Sequence, residues 1–217
     1  MNKRRILVVS LAVCLIAILA FTSIAVFTDS KTVTNVFKAT SGDGPTPPQP
    51  EDIFGVKLYE TDITKNEGIT TKGNTYEEIL PAQRLTKDPT VENTGIHPEY
   101  VRLIVTVDNA AAWQAACARH KITDLATIFN GFNKDWERKS EYVDEKNDTL
   151  TYVYYLNTEL APKATSTLFE SVTIPADFDV DDMVSLASFN LTVEAQAIQS
   201  EHIGCDNAFD AFAKYWD

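Results

Sequence analysis

The chain has 217 residues and a net charge of −12, with 31 acidic against 19 basic residues. That length allows one sizeable core and excludes a second enzyme-sized domain. An acidic balance of this size repels nucleic acid and anionic lipid, and suits solubility, weak cation binding or basic partners.

The N-terminus reads as an export signal. Lys3, Arg4 and Arg5 make a positive start, Ile6 to Ala20 is apolar apart from Ser10, and Ser23 and Ala25 satisfy the small-x-small rule for cleavage. Processing after Ala25 by a signal peptidase starts the mature chain at Val26. The leader takes three basic residues and no acidic one with it, so −12 becomes −15. An uncleaved anchor is the competing reading, because the apolar run to Phe27 approaches the ~20 residues of a bilayer span. In either case the domain faces outward, and the membrane is met only through this segment.

Residues 26–40 hold a first strand, since Thr32-Val-Thr-Asn-Val-Phe37 is rich in β-branched and aromatic residues. The segment 41–50, Ser-Gly-Asp-Gly-Pro-Thr-Pro-Pro-Gln-Pro, has the composition of an extended linker. The main domain covers 51–217. Phe54, Val56 and Leu58 alternate with polar neighbours as in a half-buried strand, 61–75 reads as loop, and Val101, Leu103, Val105 and Val107 share one strand face.

Helix formers between residues 109 and 140 mark a helical insertion, with Thr123 as a cap and Trp113, Phe129, Phe132 and Trp136 as packing anchors. Strand-forming runs at 141–143 and 149–156 around a polar turn predict a hairpin. A strand follows at 168–174, and a long alternating strand at 189–197. The apolar face of residues 206–217 predicts a short terminal helix capped by Asp206. Seven or more short strands with helical decoration predict a mainly β, β-sandwich domain.

Three groups of residues together resemble a known family. They are Val26-Phe-Thr-Asp29 with Val33-Thr-Asn-Val-Phe37; Leu80-Pro-Ala-Gln83 leading to Lys87-Asp-Pro-Thr-Val-Glu-Asn-Thr-Gly95 and Tyr100-Val-Arg102; and Leu168-Phe-Glu-Ser-Val-Thr-Ile-Pro175 with Glu194-Ala-Gln-Ala-Ile-Gln199. In this order they are similar to the exported proteins with SipW-type signal peptides in Gram-positive bacteria, the TasA and camelysin family. The proline-rich linker and the 109–140 insertion depart from that pattern. The resemblance implies a jelly-roll-like sandwich, a dedicated signal peptidase, and a place on the cell surface or in a biofilm matrix. It leaves two activities open, because the family includes both fibre formers and a metalloprotease.

Chemistry in the residues favours the non-enzymatic reading. There is no His-Glu-x-x-His, nucleophile elbow, P-loop or dinucleotide fingerprint. No cofactor is expected, although Asp177, Asp179, Asp181 and Asp182 could attract calcium, and His202 beside Glu201 could form half of a zinc site. The acidic run otherwise reads as a solvated turn. Arg102 is expected to pair with a carboxylate, and Asn93-Thr94-Gly95 to make a turn with positive φ. Cys117 and Cys205 are a candidate disulfide in an oxidising compartment, a buried thiol being the alternative.

The expected function is therefore a secreted structural protein that self-associates by strand exchange, with Val33, Val36 and Phe37 filling a neighbour's groove. The ten-residue linker supplies a reach of roughly 30 Å at ~3.1 Å per residue. A surface metalloendopeptidase and an adhesin or binding module are the alternatives. So is a monomer whose first strand folds back into its own sheet.

Overall fold

A computed structural model describes residues 28–37, 54–66, 68–186 and 188–216. The leader with Ser23, Ala25 and Val26, and the linker at 41–50, lie outside them.

The alternation read at 101–107 and 189–197 reflects two central strands, each side chain set facing its own layer. β1 (Thr28–Phe37), β6 (Glu99–Asp108), β8 (Trp136–Asp144), β9 (Thr149–Leu156) and β12 (Phe189–Gln199) form one antiparallel sheet in the order β1-β12-β6-β9-β8. A second sheet has the order β10-β5-β2-β3, built from β2 (Val56–Asp62), β3 (Gly68–Thr70), β5 (Thr90–Asn93) and β10 (Thr165–Thr167). The third, β4-β11-β7, uses β4 (Arg84–Thr86), β7 (Phe129–Asn130) and β11 (Ser171–Thr173). The result is a mainly β, sandwich-like fold.

Its main core is apolar by construction. Val101, Leu103, Val105, Val107, Leu191, Val193, Tyr152 and Tyr154 from the large sheet meet Val56, Leu58, Val91, Leu85 and Val172 from the smaller ones. Helix α1 (Ala110–Arg119) adds Trp113, which is fully buried and lies edge-on to Phe189 at 5.0 Å. The other face of the large sheet carries Tyr100, Val153, Tyr155 and Ile198, covered by Ala208, Ala211 and Phe212 of the terminal helix α3 (Ala208–Tyr215).

Several local expectations need correction. Residues 136–140 belong to β8 rather than to a helical insertion, because Trp136 opposite Leu156 starts the hairpin. The second helical piece is only a 3-10 turn, Leu125–Ile128, capped by the Asp124 carboxylate and not by Thr123. Asn207, not Asp206, caps α3. The 61–75 loop contains β3, and residues 168–174 hold β11 alone. Phe132 is partly exposed, whereas Trp113, Phe129 and Trp136 are buried anchors as expected. No helix among the described residues is long and apolar enough to cross a membrane.

Candidate functional site

The N-terminal strand occupies one edge of the large sheet. Its ten residues pair antiparallel with β12 of the same chain, Thr28 opposite Ile198 and Phe37 opposite Phe189. The fold-back alternative is thus the arrangement within one molecule. Val33 stands opposite Val193 and Phe37 opposite Phe189, both buried partners. Val36 stands opposite half-buried Asn190. The far edge, β8, is exposed from Glu137 to Val143, carries charges of both signs and has a bulge between Arg138 and Ser140. Charge and bulge both discourage an added strand there.

The acidic run is a solvated turn only at Asp177; beyond it the chain enters a helix and buries Asp182. Asp179 and Asp182 open helix α2 (Val180–Leu186) as a reciprocal cap: the Asp182 amide donates to Asp179 Oδ1 at 2.9 Å, and the Asp179 amide donates to Asp182 Oδ2 at 3.0 Å. Asp182 is fully buried, whereas Asp177, Asp179 and Asp181 are exposed. Its carboxylate also accepts from Arg119 Nε at 2.8 Å and from Arg119 Nη2, and lies 2.6 Å from His120 Nε2. At the opposite end of the helix pair, Asn109 Nδ2 donates to the carbonyls of Ser185 and Leu186. Helices α1 and α2 are therefore clamped at both ends.

This clamp has a pH signature. Burial alone would raise the Asp182 pKa, but the Asp179 amide and the Arg119 and His120 side chains outweigh it and hold the carboxyl well below its ordinary 3.8. A carboxyl with a depressed folded pKa contributes stability that is complete above the unfolded value and fades as pH falls toward the folded one. The protection of α1 and α2 amides against hydrogen exchange, relative to the intrinsic rate at each pH, is expected to fall below about pH 4 in the native sequence. Asp182→Asn should exchange faster already at neutral pH and show no such acid step; retention of the step in that variant would contradict the assignment.

His120, Asp179 and Asp182 bring ligand atoms within 4.8 Å of one another. One imidazole and two carboxylates suit zinc better than calcium, which takes 6–8 oxygens. An ion would have to displace Arg119 and His120 hydrogen bonds from a carboxylate that already uses both oxygens. Of the residues singled out in the sequence, only Asp179 and Asp182 enter this group; Asp177, Asp181 and His202 do not. His202 sits at positive φ in the turn after β12, and its neighbour Glu201 bonds instead to His97 Nδ1 at 2.8 Å.

The remaining candidates resolve as packing. Cys117 and Cys205 are free thiols, one packed in the main core and the other against the outer cluster, so the pairing considered from sequence is not formed. Arg102 donates from Nε to Gln196 Oε1 at 2.6 Å and from Nη1 to the Tyr155 hydroxyl at 3.2 Å, and lies 4.3 Å from the Phe212 ring centre. The turn after β5 uses no positive φ. Asn93 makes it with its side chain, accepting from the Gly95 amide and donating to the carbonyls of His97 and Leu160.

Two features carried no sequence signal. Lys87 and Glu60 form a fully buried ion pair, while the adjacent Asp88 accepts from the Thr61 amide at 2.8 Å and from its hydroxyl. The second is a groove of about 310 Å³ lined by Glu137, Lys139, Tyr155, Asn157, Phe209 and Asp210, among others. Comparison with protein-family models, curated proteins and solved structures finds no match for the chain.

Proposed function

We propose that the chain is an exported, non-enzymatic structural protein of the cell surface or extracellular matrix whose copies join by exchanging β1. The observation that supports this reading most is the place of β1: a ten-residue edge strand, paired along its whole length with one neighbour, β12. A second copy's β1 offers β12 the same amides and carbonyls in the same register, so exchange trades equal bonds for equal bonds. The Pro-rich composition of residues 41–50 suits a segment that can reach a neighbour. Passed from copy to copy, such a contact is head-to-tail and grows as a filament. Signal peptidase cleavage after Ala25 would free β1 for this role.

The resemblance to the TasA and camelysin family, and its jelly-roll-like sandwich, agree with this reading. The peptidase alternative has less behind it, since the group His120, Asp179 and Asp182 is arranged as a helix clamp.

Cross-linking distinguishes exchange from fold-back. Thr34 stands opposite Thr192, so mature protein carrying Thr34→Cys and Thr192→Cys should give a ladder of disulfide-linked oligomers at high concentration. Electron microscopy of the chain begun at Val26 should show filaments that vanish when residues 26–40 are deleted. Cross-links confined to monomers at every concentration, with no filaments, would reject exchange.

A further inference from the structure

We infer that the groove between β8, β9 and the start of α3 is a binding site for neutral oligosaccharide, with Phe209 as its stacking platform. This stands whether or not β1 exchanges.

The aromatic at position 209 is not explained by packing. Helix α3 sends Ala208, Ala211 and Phe212 inward, while Phe209 remains 45% exposed beside the groove. Its ring is steadied rather than covered, with Tyr155 edge-on at 5.4 Å and 75°. The Lys139 ammonium lies over the ring as well, and the part of the ring left exposed offers an apolar surface for the C–H side of a sugar ring.

The surroundings supply the hydroxyl partners. Glu137 and Lys139 rise from β8, Asn157 follows β9, and Asn207 and Asp210 come from the first turn of α3. Lys139 Nζ bonds Glu137 at 2.7 Å, and Asn207 Nδ2 bonds Asp210 Oδ2 at 2.8 Å. These bonds orient the side chains and leave carboxylate lone pairs and ammonium protons for a ligand. The β8 bulge has a role here, because Arg138 faces Tyr154 and Ser140 faces Val153, leaving Lys139 as the unpaired extra residue. A bulge re-aims a side chain, and the Lys139 ammonium lies 5.9 Å from the Phe209 ring centre.

Size and charge select the ligand class. A volume of about 310 Å³ lies at the small end of ligand sites, enough for a sugar ring with its chain continuing through the open ends. The net charge of −12 opposes polyanions. Within the groove Lys139 neutralises Glu137 and Asp210 is bonded by the neutral Asn207 amide, which leaves a single carboxylate charge rather than a concentrated patch to demand a cationic ligand.

The test is a 1H–15N NMR titration of the mature chain with cello- and chito-oligosaccharides as neutral probes and a chitosan oligosaccharide as the cationic comparison. Neutral probes should shift the side-chain amides of Asn157 and Asn207 and the backbone of 207–210 in the millimolar range or below. Phe209→Ala should weaken binding about tenfold, the scale of one lost aromatic contact, with an unchanged thermal midpoint, while Phe209→Trp should retain it. The inference is overturned if neutral probes leave these signals in place, if only the chitosan probe moves them, or if Phe209→Ala binds equally well.

Discussion

Glu60→Ala should destabilise the domain by about 3–5 kcal/mol, because it leaves the fully buried Lys87 ammonium without its carboxylate partner. Both side chains have no exposed surface, and Lys87 Nζ donates directly to Glu60 Oε1. Burial pushes the Lys87 pKa down while the Glu60 charge and hydrogen bond and, less, the Asp88 charge oppose it, so removing the Glu60 carboxylate leaves the penalty offset by Asp88 alone. Replacing both, as Lys87→Met with Glu60→Leu, should recover most of the loss and end within ~1–4 kcal/mol of the native chain or above it. Urea midpoints of the two singles and the double close the cycle. A double variant as unstable as Glu60→Ala would show that the pair is needed for more than mutual neutralisation.

The structural cost of that pair explains its place. Glu60 is in β2 and Lys87 in the segment joining β4 to β5, so the ion pair and the Asp88 to Thr61 bonds fasten that connection to one strand of the second sheet. None of this was legible in Lys87-Asp88-Pro89, where only strand and turn chemistry shows. A lysine followed by aspartate and proline looks exposed in any sequence reading, and its burial depends on a partner 27 positions away.

Legibility elsewhere followed element length. β6 and β12 announce themselves because ten and eleven residues sustain a period of two. β3, β4, β10 and β11 have three residues each and β7 two, too short to establish any period. Helix α2 was missed although Asp179-Val-Asp-Asp182 has capping-box spacing, since aspartate at both ends reads equally well as a calcium-loop opening. The clamp onto Arg119 and His120 joins residues more than 60 positions apart. The groove draws on the far ends of β8 and β9 and on α3, so only the folded chain assembles it. By contrast, the terminal helix was readable, because Ala208, Phe212 and Trp216 recur every four residues and pack on the sheet, although Phe209 and Ala213, which the same reading puts on that face, are exposed.

That terminal helix sets the second large effect. Phe212→Ala should cost about 3–5 kcal/mol, since the ring is fully buried and the space it leaves lies between α3 and a rigid sheet that cannot collapse onto it. Further loss comes from Arg102, whose guanidinium lies 4.3 Å from the ring centre; a desolvated contact of this type is worth up to ~2 kcal/mol. With α3 loosened, Tyr100, Val153, Tyr155 and Ile198 meet water, so hydrogen exchange should rise in β6, β9 and β12 ahead of global unfolding. Phe209→Ala, three residues earlier on the same helix, should leave both midpoint and exchange nearly unchanged, because that ring is already 45% exposed. The contrast separates holding the helix in place from presenting an aromatic to the groove. Equal destabilisation by the two substitutions would mean that Phe209 is a packing residue, and the groove would lose its reason for carrying an aromatic.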